Sequence, residues 1–341
     1  MTNQGYADAR RPEAAAEAAG RSFGEKSSRY GGGLRSFLEE WTILILLLAL
    51  LVLCSVFVDR FFEIGNLMNI ARQISFLAIV ALGEFFVILI AQMDMSIGWT
   101  IGLTSVLLAG LMSRNGVPMG VALVLVFGVA IVIGIINGLL SIVGKVPSFI
   151  ATLVTMNVLM GLSYLYSRGI PISGLPRQLN YLGMGYLFGI PVPVYLMVLV
   201  TALCYVFTTH TELGRSFYAV GGNAEAAKLS GINVRFVGVL AFVISAVLAT
   251  VGSIGLTAKT MAGTASLGGD MLFDVMTVVV LGGTSLYGGK GKVIGVVLAA
   301  LLIGVISNAM VLIGINTYYQ WIVKGAILIS VVLIDVNSKK E

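Results

Sequence analysis

From Trp41 to about Ile334 the chain is a succession of apolar runs divided by short polar breaks. The runs lie near 42–58, 74–92, 97–113, 117–143, 148–166, 191–208, 236–258, 271–283, 293–313 and 318–334. The breaks are Asp59-Arg60, Asp94, Arg114-Asn115-Gly116, Gly144-Lys145-Val146-Pro147 and a polar loop from Ser167 to Pro191. A helix needs ~20 apolar residues to cross a hydrocarbon core of ~30 Å. Barrel strands would be shorter and would alternate polar with apolar, which these runs do not. The pattern therefore predicts an all-α, polytopic membrane bundle of about ten transmembrane helices.

The two shortest runs, 97–113 and 271–283, each follow a polar break, Asp94 in one case and Gly268-Gly269-Asp270 in the other. Five spans separate them, and an odd offset inverts the second half in the membrane. Inverted five-helix repeats with short broken helices are a common transporter plan, and they are expected here.

Composition narrows the class further. Of 341 residues 58% are hydrophobic and 11% charged, against roughly 25% charged in soluble domains; the mean hydropathy is +0.99. That excludes a soluble enzyme, a nucleic-acid binder and a disordered chain, and makes the lipid bilayer the solvent. Residues 1–40 differ: they are rich in Ala, Gly, Ser and Glu, with six interspersed arginines and lysines and no apolar signal segment. They read as a disordered cytoplasmic tail, and 41–341 as the membrane domain. With both termini cytoplasmic, 14 basic residues fall inside and 6 outside, in the sense of the positive-inside rule. The tail contributes most of that excess.

Candidate chemistry is sparse. The single histidine, His210, sits at a span end, and Cys54 and Cys204 lie inside apolar runs, so no metal or cofactor site is expected. No nucleophile motif points to an enzyme. The glycine-rich run Gly282–Gly291 fails as a phosphate loop, because Lys290 is followed by Gly291 where Ser or Thr is required. It reads as a tight turn between two helices.

The connection 209–235 carries more information. Asn223 is a good N-cap, Glu225 falls in a first turn, and Gly231 can close a helix in the left-handed region. The short Ala-rich helix between them, about seven residues, is too short to hold by itself in water. It needs something to pack against.

The run from Gly214 to Val234, G-R-S-F-Y-A-V-G-G-N-A-E-A-A-K-L-S-G-I-N-V, resembles the coupling loop of ribose-type permeases, the membrane subunits of bacterial ATP-binding-cassette sugar importers. Three further stretches resemble the same family in the same order: Ser148-Phe149-Ile150-Ala151-Thr152-Leu153, Asp274 with Val278 to Leu286, and Tyr318-Tyr319-Gln320 with Val323-Lys324-Gly325. The resemblance implies a non-enzymatic transport subunit in the bacterial inner membrane that forms the path for a monosaccharide or related polyol. It implies three partners: a second permease copy, a cytoplasmic ATP-binding subunit and an extracytoplasmic sugar-binding protein. It assigns coupling to Gly222, Asn223, Glu225, Ala226, Leu229 and Gly231.

The chain departs from the family after the second span, where Gln92-Met93-Asp94-Met95-Ser96-Ile97-Gly98 stands for the usual G-I-D-L-S-V-G, and at Glu84, where Met or Gln is usual. An ionisable residue within a span is a functional candidate by default. Glu84, Asp94, Ser96 and Asp274 are the candidates for the substrate path, with Glu84 placed near mid-span by its run. The competing role for Glu84 is structural, pairing with a neighbouring helix. A secondary transporter using Glu84, Asp94, Asp270 and Asp274 for protons or Na⁺ is the rival class, but it leaves the capped helix without a purpose.

Overall fold

The computed structural model describes residues 43–337; the tail 1–40 lies outside them. Ten apolar helices occupy the expected positions: α1 (Ile43–Phe57), α2 (Ile64–Leu89), α3 (Ile97–Ser113), α4 (Met119–Gly138), α5 (Ser148–Ser167), α7 (Val192–His210), α10 (Val234–Thr260), α11 (Met271–Leu281), α12 (Val293–Leu312) and α13 (Thr317–Asn337). Three short helices join them: α6 (Arg177–Met184), α8 (Glu212–Gly222) and α9 (Ala224–Leu229). From Leu47 onward the chain forms one compact unit.

The bundle has an inner and an outer set. Residues 74–90 are buried without interruption, so α2 is the central helix, and α10 lies along it. Glycines make that closeness possible: a Cβ on Gly83 would stand 3.1 Å from the Leu248 Cβ, and one on Gly255 would strike the Phe76 ring. On α4 the pair Gly134 and Gly138, four apart, rests on Val243 and Val239 of α10. Apolar helices have no hydrophobic drive toward one another in lipid, so such small-residue contacts hold them by packing. The outer helices leave large apolar side chains uncovered, among them Val124, Val154, Leu165, Val198 and Leu203. This belt is far larger than a soluble surface carries, and it faces lipid.

Helix lengths recur in order. The second apolar helix of each half is long, 26 residues in α2 and 27 in α10, and the third is short, 17 in α3 and 11 in α11. The two breaks meet, with Gly98 at the start of α3 against the Gly268 carbonyl.

Three expectations need correction. First, α2 begins at Ile64 rather than near 74. Its extra turns hold Arg72, whose guanidinium lies 4.7 Å from the Tyr186 ring centre and donates to Asn69 Oδ1 at 2.9 Å. These contacts let a cation sit on a buried helix. Glu84 consequently lies in the last two turns of α2, not at its middle. Second, the polar loop 167–191 contains α6 and a two-residue hairpin, β1 (Tyr186–Leu187) with β2 (Ile190–Pro191), paired Tyr186 to Pro191 and Leu187 to Ile190. Phe188 and Gly189 at its tip both have positive φ, as a type I′ turn requires. Third, 212–222 is helical rather than loop. Thr211 caps it by accepting from the Gly214 N–H at 2.9 Å, and Phe217 is buried against Phe86 and Phe207.

Candidate functional site

The break between α2 and α3 is built from its backbone outward. Four successive N–H groups, of Met93, Asp94, Met95 and Ser96, have no place in either helix. Unsatisfied N–H groups inside a membrane protein cost several kcal/mol each. Every one of the four finds a side-chain acceptor. Met93 donates to Ser148 Oγ at 3.1 Å, Asp94 to Glu84 Oε1 at 3.1 Å, Met95 to Thr152 Oγ1 at 3.0 Å and Ser96 to Asp94 Oδ1 at 2.9 Å. Ser148 and Thr152 stand four apart in the first turns of α5, so one helix face serves two of them.

Around Asp94 the network closes. Ser96 Oγ donates to Asp94 Oδ1 at 2.6 Å, Asn137 Nδ2 donates to Ser96 Oγ at 2.8 Å, and Ser245 Oγ reaches Asp94 Oδ2 at 3.4 Å. Glu84, Asp94, Ser96, Asn137 and Ser245 are all fully buried. The cluster thus joins α2, α3, α4 and α10 at one point. Asn137, Ser148, Thr152 and Ser245 received no role from the sequence. The available signals were an Asn between two helix-packing glycines and a Ser-x-x-x-Thr pair opening a span.

At the end of α2, α8 docks together with the glycine-rich turn. The Gly289 N–H donates to the Leu89 carbonyl at 2.8 Å, and a Cβ on Gly221 would collide with that carbonyl. The glycine-rich run is the turn expected: Gly283, Gly288 and Gly289 have φ of 84°, 80° and 72°. Tyr218 of α8 donates to the Gly291 carbonyl at 3.2 Å, and burial pushes its phenol above the usual range, which keeps the donor proton in place. α8 is thereby locked to both the turn and the end of α2.

α9 is a six-residue helix. Asn223 Oδ1 accepts from the Glu225 and Ala226 N–H groups, each at 3.0 Å, and Gly231 has φ +86°. Ala227 packs inward, whereas Leu229 is 91% exposed and Gly222, Glu225 and Ala226 are exposed beside it. A leucine held at the tip of a capped helix presents an apolar contact to whatever lies beyond.

Asp274 lies far from Asp94's cluster in its bonding. It sits in the first turn of α11, paired with Lys324 of α13 at 2.7 Å, both side chains about one-sixth exposed. Of the four path candidates, Glu84, Asp94 and Ser96 are brought together and Asp274 stands apart. Among the described residues no three His, Cys, Asp or Glu side chains are placed to hold a metal.

Ten apolar helices among the described residues, a break whose backbone N–H groups are satisfied by side chains and a capped helix pair at one end define a polytopic helical membrane protein. Residues 66–332 match the family described as branched-chain amino acid transport system / permease component, and the chain belongs to that family. Similar proteins include the ribose import permease protein RbsC of Haemophilus influenzae, 39% identical over 88% of this chain and 94% of that one, and its namesake in Bacillus subtilis, 38% identical over 85% and 90%. The xylose transport system permease protein XylH of H. influenzae is 30% identical over 89% of this chain and 98% of its own. No solved structure matches the chain. The protein is thus the membrane-spanning permease subunit of an ATP-binding-cassette importer in the inner membrane. It is not an enzyme: ATP hydrolysis belongs to a separate subunit, and a substrate-binding protein completes the system.

Proposed function

We propose that this permease passes a monosaccharide of the ribose or xylose kind across the membrane. The observation that carries the reading is the 30–39% identity, over most of each chain, to permeases named for ribose and xylose. Two copies form the path, and both termini face the cytoplasm, as the excess of 14 basic residues over 6 favours.

Gly222, Asn223, Glu225, Ala226, Leu229 and Gly231 form the element on which the ATP-binding subunit pushes. The push travels through α8 to the end of α2, because Gly221 and Gly289 meet at the Leu89 carbonyl. One turn further along, Glu84 holds the break with Asp94 and Ser96. These three shape the path by setting how α2 meets α3, and Asp274 lines it from the first turn of α11.

The test is uptake into proteoliposomes containing the permease, its ATP-binding subunit and its binding protein. ATP-dependent accumulation of labelled D-ribose or D-xylose, not competed by L-leucine, is expected. Accumulation of L-leucine alone would overturn the assignment.

A further inference from the structure

We infer that the Asp274–Lys324 ion pair and the aromatic side chains beside it form a carbohydrate subsite within this permease, an inference that rests on the monosaccharide reading above. At the end of the bundle remote from α9, a cavity of about 430 Å³ opens between the start of α11 and the start of α13. That volume suits a small molecule; such sites span ~300–1,000 Å³. Its chemistry comes from five side chains: Asp270, Phe273, Asp274, Trp321 and Lys324.

The combination is selective for a neutral polyol. A sugar ring has an apolar face of C–H groups and a rim of hydroxyls. Trp321 and Phe273 are 48% and 64% exposed within a membrane helix pair, and Tyr318 braces Trp321 edge-on with ring centres 5.6 Å apart. A braced aromatic face covers C–H groups at small entropic cost. Lys324 Nζ and Asp274 Oδ2 are 2.7 Å apart, so their charges are already satisfied by each other. The second carboxylate oxygen and the two remaining ammonium protons are left to accept from and donate to hydroxyls. Asp270 adds another acceptor, since its side chain does not cap α11. The aromatic face adds what a small zwitterionic amino acid cannot use, a flat surface for the C–H groups of a ring.

Asp274 also lines a second cavity of about 240 Å³, shared with Gln73, Phe76, Lys259 and Ser307. Asp274 is therefore the residue that the outer and the inner cavity share. Both set polar groups beside an aromatic ring, Phe76 in the inner cavity and Phe273 and Trp321 in the outer.

Gly325 supplies the test. It lines the outer cavity, and a Cβ there meets nothing within 4 Å, so Gly325→Cys should fold; the natural Cys54 and Cys204 are buried. In the complete importer, D-ribose or D-xylose should slow maleimide labelling of the new cysteine, while L-leucine and sugar-free buffer serve as controls. In the same background Asp274→Asn should raise the sugar concentration for half-protection about tenfold, the worth of one charge-assisted hydrogen bond. Trp321→Ala, which leaves the ion pair intact, should raise it likewise. Uptake of sugar with labelling unaffected by it, or equal half-protection in all variants, overturns the subsite alone. Protection by L-leucine with no uptake of either sugar overturns the monosaccharide reading as well.

Discussion

The Asp94 backbone N–H donates to Glu84 Oε1 at 3.1 Å, so a carboxyl five residues before the end of α2 holds the break that follows its own helix. Glu84→Gln retains an acceptor at that position and Glu84→Met does not. The glutamine variant should assemble at wild-type yield. The methionine variant should melt lower, because a buried N–H left without a partner costs ~1–3 kcal/mol. Thermal unfolding of the purified complex reads the difference. Equal melting with altered uptake kinetics in the methionine variant would instead assign Glu84 to the substrate.

Gly221 and Gly222 are adjacent, yet they should respond oppositely to alanine. A Cβ on Gly221 has the Leu89 carbonyl in its place, and the backbone must shift; one on Gly222 meets nothing within 4 Å. Gly221→Ala should lose ~1–3 kcal/mol, the usual range for overpacking, and lower the yield of folded permease. Gly222→Ala should melt like wild type.

Glu225 and Leu229 lie on one exposed face of α9, four residues apart. Glu225→Lys with Leu229→Gln should leave the permease folded and uncouple ATP hydrolysis from uptake. Parallel assays of hydrolysis and accumulation in proteoliposomes check this. Unchanged accumulation with an assembled complex would mean that α9 does not transmit the stroke.

Asn223 caps α9 through two N–H groups. Asn223→Ala should cost ~1 kcal/mol of local helix stability, and Asn223→Asp should restore it. Faster amide exchange over 224–229 in the alanine variant, with α10 unaffected, is the expected signature.

The sequence by itself determined which segments enter the membrane and which carry caps. Ten apolar runs became ten apolar helices among the described residues, six of them long and apolar enough to cross a membrane and four shorter. Asn223 and Gly231 sit where their local preferences put them, since capping involves only neighbours in the chain. The start of α2 was hidden because Arg72 is accommodated by Tyr186, a residue 114 positions away, and no local pattern records such a partner. The helix 212–222 was hidden for the same reason: Phe217 is fixed by Phe86 and Phe207. The break shows the division most clearly. Asp94 and Ser96 stood out as polar residues in an apolar stretch, but Ser148, Thr152, Asn137 and Ser245 are ordinary residues of other spans. Only the packing of helices around one irregular turn brings Ser148 and Thr152 to its backbone and Asn137 and Ser245 to its Ser96 and Asp94 side chains, because hydrogen-bond partners inside a membrane protein are chosen by proximity in space.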